Sequence, residues 1–150
     1  MNIDIRLTDD AGDEIRNAIR DPLVAYNAQK VGPSNYKSLA VVISDASDTI
    51  LGGLSGGTAY GWLYIEFLFV PEPLRGQGLG TKLMTRAEAE VIARGCHSAA
   101  LDTHEFQARD FYQRMGYECF GELDNYPAGF SRYFMRKALS LESDSRTEEL

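Results

Sequence analysis

Hydrophobic and polar positions along the chain change their period several times, and each change predicts an element. Ile3, Ile5 and Leu7 alternate with Asp4 and Arg6, as a half-buried strand should. Residues 13–19 follow as a first helix. Asp21-Pro22 then offers an N-cap and a first-turn proline for a second helix, running through Leu23, Tyr26 and Lys30 to a stop at Gly32. Residues 39–44 and 50–62 are expected strands across the polar turn Asp45-Ala46-Ser47-Asp48. Gly52, Gly53, Gly56 and Gly57 should make the second of them irregular or bulged. The apolar run 63–70 predicts a buried strand, which Pro71 and Pro73 end because neither can donate to a ladder. Leu79, Leu83, Ala87 and Val91 share one face of a helix that stops at Gly95. A short strand begins at Ala99 and ends at Asp102-Thr103. A helix over 106–115, capped by Gly116, precedes strands over 117–123 and 132–139, joined by a loop with Asn125, Tyr126, Pro127 and Gly129.

The junction Leu68-Phe69-Val70-Pro71-Glu72-Pro73-Leu74-Arg75-Gly76-Gln77-Gly78-Leu79-Gly80 organises the rest. A strand, a glycine loop and a helix start aim unpaired backbone N–H groups and the positive end of a helix dipole at one spot, which suits a phosphate. Glycines at 76, 78 and 80 permit close approach and positive φ, and Arg75 adds a cation. A P-loop needs Gly-Lys-Ser/Thr, whereas Thr81-Lys82 stands in reverse order; a dinucleotide loop needs G-x-G-x-x-G, whereas the spacing here is G-x-G-x-G.

What the junction does match is Arg/Gln-x-x-Gly-x-Gly/Ala, as Arg75, Gly78 and Gly80. A second pattern lies downstream in Phe111-Tyr112-Gln113-Arg114-Met115-Gly116-Tyr117. On this pair the chain resembles the GCN5-related N-acetyltransferases (GNAT), most specifically across residues 63–121. The resemblance implies an α/β fold with a mixed, mostly antiparallel sheet of six or seven strands, splayed at the cofactor cleft, with helices on both faces. It implies acetyl-CoA as co-substrate, held by Leu68, Phe69, Val70, Arg75, Gly76, Gln77, Gly78, Leu79, Gly80 and Thr81, with Leu68 and Val70 offering backbone groups to the pantetheine arm. It also implies direct acetyl transfer to a primary amine, of a small molecule by preference. Protein lysine or N-terminal acetylation and non-catalytic acyl-CoA binding stand as alternatives.

Composition narrows the picture. The formal charge is −7, and Glu142, Asp144, Glu148 and Glu149 against Arg146 contribute −3 of it. The absence of a basic run argues against nucleic-acid binding, and an acidic body favours cationic acceptors. No stretch approaches eighteen apolar residues and no secretory leader precedes the first strand, so a cytoplasmic protein without membrane association is expected. Residues 1–141 are taken as one domain and 142–150 as an acidic, disordered tail; a homodimer is compatible with the chain. Cys96 and Cys119 have no CxxC spacing and are expected to be reduced. His97 and His104 lack ligand spacing, so no metal is expected.

Acetylating an amine poses two proton problems. An alkylammonium of pKa near ~10 is free amine about once in ~1,000 at pH 7, which is roughly 4 kcal/mol that a base helps to offset. The departing thiolate also needs a proton. Glu66 stands in an otherwise apolar strand, where it either faces solvent, pairs with a cation on a neighbouring strand, or is buried with its pKa raised toward the range of a base. The resemblance favours the base. It likewise makes Tyr112 the acid toward the coenzyme sulfur, a core aromatic being the other reading. Complete donation to a free thiolate would be uphill by about 2 kcal/mol at ordinary pKa values, so hydrogen bonding or concerted transfer is expected. Asp102 and His104 at a strand end are candidate acceptor contacts; Tyr126, Arg132 and Tyr133 from the last loop are candidates as well, equally explained by edge packing. Tyr26 and Asn27 join them through the resemblance alone. Glu105 stands where the family often has Asn.

Overall fold

The computed structural model describes residues 1–139, so the expected acidic tail lies outside the described residues. Contacts divide the chain into two compact units, Met1–Ser34 and the chain from Asn35 onward.

The first unit holds one helix, α1 (Asp13–Val31), closed by Gly32 at φ 86°, whose N–H donates to the Ala28 carbonyl at 2.9 Å. Two expectations are corrected here. Residues 3–7 form no strand, and Ile3, Ile5 and Leu7 stay exposed; alternation supplies an apolar face, but a strand exists only by its ladder. The two expected helices are one, with Pro22 inside it. Proline removes a single internal bond, that to the carbonyl four residues back, and here the helix runs on through the gap.

The second unit is a six-stranded sheet in the order β1-β2-β3-β4-β6-β5. Its strands are β1 (Lys37–Ser44), β2 (Ile50–Ala59), β3 (Trp62–Phe69), β4 (Ser98–His104), β5 (Glu118–Leu123) and β6 (Arg132–Ala138). Only β3 and β4 are parallel, joined through α2 (Leu79–Ala93); α3 (Arg109–Arg114) connects β4 to β5. β2 and β3 form a hairpin whose two turn residues, Tyr60 and Gly61, both have positive φ, the primed turn that matches strand twist.

Leu83, Met84, Ala87 and Val91 of α2 pack with Leu54, Leu63, Ile65, Ala99, Leu101 and Met135 of the sheet. Met84 and Leu63 are fully buried, so truncating either to alanine should cost about 2–5 kcal/mol. Arg94 fastens the end of α2 to the sheet edge, donating to the carbonyls of Lys37 and Ser38 at 3.2 and 3.1 Å. Among the described residues no helix is long and apolar enough to cross a membrane.

Two departures from regularity shape the functional region. Ser55 faces Phe67 while its neighbour Gly56 faces Ile65, so Glu66 is an extra residue, a bulge in β3 opposite the glycines of β2. A β-carbon on Gly56 would lie 2.2 Å from the Tyr64 carbonyl oxygen, which is why that approach requires glycine. Secondly, β3 and β4 pair only as far as Ile65 and Leu101, although they continue to Phe69 and His104. Beyond that point they diverge, which is the expected splay.

Candidate active site

A cleft of about 830 Å³ fills the divergence. Ile65 to Val70 line one wall, Leu101 to Thr103 and Phe106 to Ala108 the other, and Leu74 to Gly76 with Gly78 to Thr81 one end; Phe111, Tyr112 and Arg114 of α3 close it. Of the expected cofactor residues only Gln77 is outside this lining. Glu66, Asp102 and Tyr112 are inside it.

The glycine loop has the conformation its composition demands. After the 3-10 turn Glu72–Leu74, Gly76 and Gly78 adopt φ of 82° and 77°, with open space where a side chain would be. Lys82 is the first residue of α2 to find its acceptor, the Gly78 carbonyl at 3.1 Å, so the amides of residues 78–81 are the unpaired donors of the helix start. Gly80 is small for packing: a β-carbon there would meet the Phe111 ring at 3.2 Å. Arg75 folds back, its Nε donating to the Val70 carbonyl at 2.8 Å and its guanidinium lying over Phe69. It braces the loop and occupies one of the two acceptor positions of the Val70 carbonyl.

Glu66 is exposed and forms no ion pair among the described residues. Of the readings open for Glu66 the exposed one holds: strand alternation sets it on the same face as Trp62 and Tyr64, and the bulge turns Phe67 out of the buried row begun by Leu63 and Ile65. Tyr112 is buried, edge-on to Phe111 and Tyr117. Burial, with a smaller contribution from the Asp102 charge, pushes its phenol up to about 12. Against a thiol of pKa about 8.5, full donation is then uphill by about 4–5 kcal/mol.

Asp102 accepts Arg132 Nε and Nη2 at 2.9 and 2.6 Å on one oxygen and the Tyr64 hydroxyl on the other. Desolvation and that bond push Tyr64 up to about 12. His104 sits two residues on, with Nδ1 at 2.8 Å from the Tyr126 carbonyl; a carbonyl only accepts, so Nδ1 carries the proton. His97 instead contacts Ser98 and the edge of Trp62. Tyr26 and Asn27 lie on α1 in the first unit, Tyr26 exposed beneath Lys30. Glu105 turns toward β6, accepting from the Tyr133 hydroxyl at 3.2 Å, and lines a second cavity of about 460 Å³ that adjoins the cleft across Gln107, Ala108, Phe111 and Arg114.

Tyr64, Phe106 and Phe130 went unrecognised in the sequence. Tyr64 had a usable signal, since two residues before Glu66 in a strand means the same face. The other two become neighbours only through folding.

Residues 9–117 match the acetyltransferase (GNAT) family. An acetyltransferase of Agrobacterium fabrum is 44% identical over 131 residues, covering 87% of this chain and 96% of the relative. The blasticidin-S acetyltransferase of Streptomyces morookaense is 38% identical over 91 residues, 60% of this chain and 67% of that protein. A crystal structure from Agrobacterium tumefaciens, of a chain assigned as an acetyltransferase, is similar with a TM-score of 0.87 at 42% identity, over 91% of this chain and 99% of its own.

Proposed function

The chain belongs to the acetyltransferase (GNAT) family and is an N-acetyltransferase; on that premise we propose that it transfers the acetyl group of acetyl-CoA directly to a primary amine of a small molecule. The observation that carries this reading is that one cleft is lined both by the unpaired amides of the α2 start and by Glu66 and Tyr112. Open space at Gly76 and Gly78 fits a pyrophosphate approaching that backbone.

Bound there, acetyl-CoA supplies an activated carbonyl and a thiolate leaving group. The amides of residues 78–81 take the pyrophosphate, and the edge of β3 from Leu68 to Val70 lies beside the pantetheine arm. Glu66 receives a proton from the acceptor ammonium, directly or through water, because its carboxylate is free of ion pairing. Tyr112 holds a hydrogen bond to the sulfur, strongest when charge develops there. The relative named for acetylating blasticidin-S supports a small-molecule acceptor.

The test is a screen of polyamines, aminoglycosides, amino acids, aryl-alkyl amines and peptides for thiol release from acetyl-CoA, with the product weighed by mass spectrometry. A gain of one acetyl group on a small amine is expected. Acetylation confined to peptides, or CoA binding without transfer to any amine, would overturn the proposal.

A further inference from the structure

The cleft wall formed by the end of β4 and the turn that follows it continues, through Phe106, into a cluster of rings that includes two residues of the β5–β6 loop. His104 and Phe106 stack with centroids 5.2 Å apart and planes 10° from parallel. Phe130 meets Phe106 edge-on at 5.3 Å, and Tyr126 tilts against His104 at 5.7 Å. The arrangement is pre-organised. Tyr126 N–H donates to the Phe130 carbonyl and Phe130 N–H to the Pro127 carbonyl, both at 2.9 Å, while the Arg132 guanidinium lies 4.5 Å from the Tyr126 ring centroid. Yet Phe106, Tyr126 and Phe130 remain 56%, 46% and 42% exposed. Rings held in place and left wet, on the lip of a cleft that Phe106 itself lines, are suited to a ligand.

Charge narrows which ligand. The cleft is lined by two carboxylates, Glu66 and Asp102. Asp102 is neutralised by Arg132 and occupied on its other oxygen by Tyr64. Glu105, nearby in sequence, faces Tyr133 and lines the other cavity. One free carboxylate serves one ammonium; a polycation would leave its further charges in a cleft whose remaining charged lining residues are Arg75 and Arg114.

We propose that the acceptor is a primary amine with a single positive charge attached to a flat, unsaturated ring, the ring seated against Phe106 and Phe130 and the ammonium at Glu66. Polyamines and aminoglycosides are then poor acceptors. The inference rests on the acetyl-transfer reading of the same cleft. The reaction balances as ring-bearing ammonium plus acetyl-CoA giving the N-acetyl amide, free CoA thiol and one proton. The amine nitrogen forms a bond to the carbonyl carbon, the carbon–sulfur bond breaks, Glu66 receives one amine proton, and the sulfur gains one.

The experiment has a binding arm and a transfer arm. Binding of phenethylamine and of spermidine to the CoA-loaded protein is followed by saturation-transfer NMR. Transfer from acetyl-CoA is measured as kcat/KM for phenethylamine, spermidine and kanamycin. Both arms are repeated on Phe106→Leu/Phe130→Leu, whose melting temperature is checked first and whose substitutions lie outside the core. The expected result is phenethylamine preferred at least about tenfold over the polycations, with that binding weakened about tenfold in the variant and spermidine unchanged. Preference for spermidine or kanamycin, phenethylamine binding indifferent to the variant, or no phenethylamine binding at all would overturn the inference. Ring-amine binding that the variant weakens, without acetylation, would support the inference and remove the transfer reading. Transfer to spermidine with phenethylamine inert would do the reverse. If the variant fails to fold, Phe106→Tyr, which keeps the ring, and Phe130→Leu alone supply the same contrast.

Discussion

The two ends of the cleft are built in opposite ways. The phosphate end is one run of chain, Leu68 to Thr81, in which every unusual conformation is set by a neighbour: prolines end the strand, Gly76 and Gly78 take positive φ, and α2 begins. The end where we propose that the acceptor binds draws Tyr64 and Glu66 from β3, Asp102 and His104 from β4, Phe106 from the following turn, Tyr126 and Phe130 from a loop and Arg132 from β6. It depends on register. Asp102 lies opposite Phe134 and His104 opposite Arg132, and a one-residue slip of β6 would send Arg132 to the other face. A site made of contiguous residues tolerates changes elsewhere in the fold, whereas one made of distant residues is tuned by them. The phosphate end should therefore be robust to distant substitutions, and the acceptor end should be where relatives differ.

Disabling the phosphate end alone should have the largest effect. CoA at about 100 times its Kd should stabilise the native protein by about 2.7 kcal/mol, a rise of roughly 5–10 °C in Tm. Gly78→Val forces a β-branched residue into φ near 77° and should remove that rise while a melting transition persists. A full rise in the variant would separate the cofactor site from the glycine loop.

A smaller effect is expected at the point where the ends meet. Glu66→Gln should lower kcat/KM by roughly 10²-fold near pH 7, the loss shrinking as pH rises and the amine deprotonates unaided. A pH-independent loss would make Glu66 a positioning residue.

Tyr112→Phe should lower kcat by about 10²-fold with CoA affinity retained, because the hydroxyl acts chiefly in the transition state. Normal turnover would return Tyr112 to the core. The same residue carries the smallest prediction. Its phenol is pushed up to about 12 by burial, so folding favours the neutral form. That contribution is complete below the unfolded value near ~10 and is lost as pH climbs toward the folded value. Urea unfolding between pH 9 and 11 should show stability falling with pH, and falling less steeply in Tyr112→Phe.

What was legible in the sequence follows the same division. Gly32, Gly95 and Gly116 end their helices where their positive φ is required, a property each residue carries with it. The α3 start was misjudged by three residues. Gln107 accepts the His104 N–H at 2.8 Å and donates its own N–H to the His104 carbonyl, holding 105–108 in a turn that periodicity does not reveal. The strand over residues 3–7 failed because alternation cannot supply a partner. Whether Glu66 faces solvent, pairs with a cation or is buried stayed open, because which row of β3 lies against the core is decided by its packing and pairing with β2 and α2. Phe106 and Phe130, 24 positions apart, meet only after β4, β5 and β6 are in register.

The central claim is that both ends are occupied at once and acetyl passes directly between them. Initial velocities at varied acetyl-CoA and varied acceptor, using the best amine from the screen, test it most directly. Direct transfer predicts double-reciprocal lines that intersect. Parallel lines, together with an acetyl group trapped on the protein when acceptor is withheld, would contradict it.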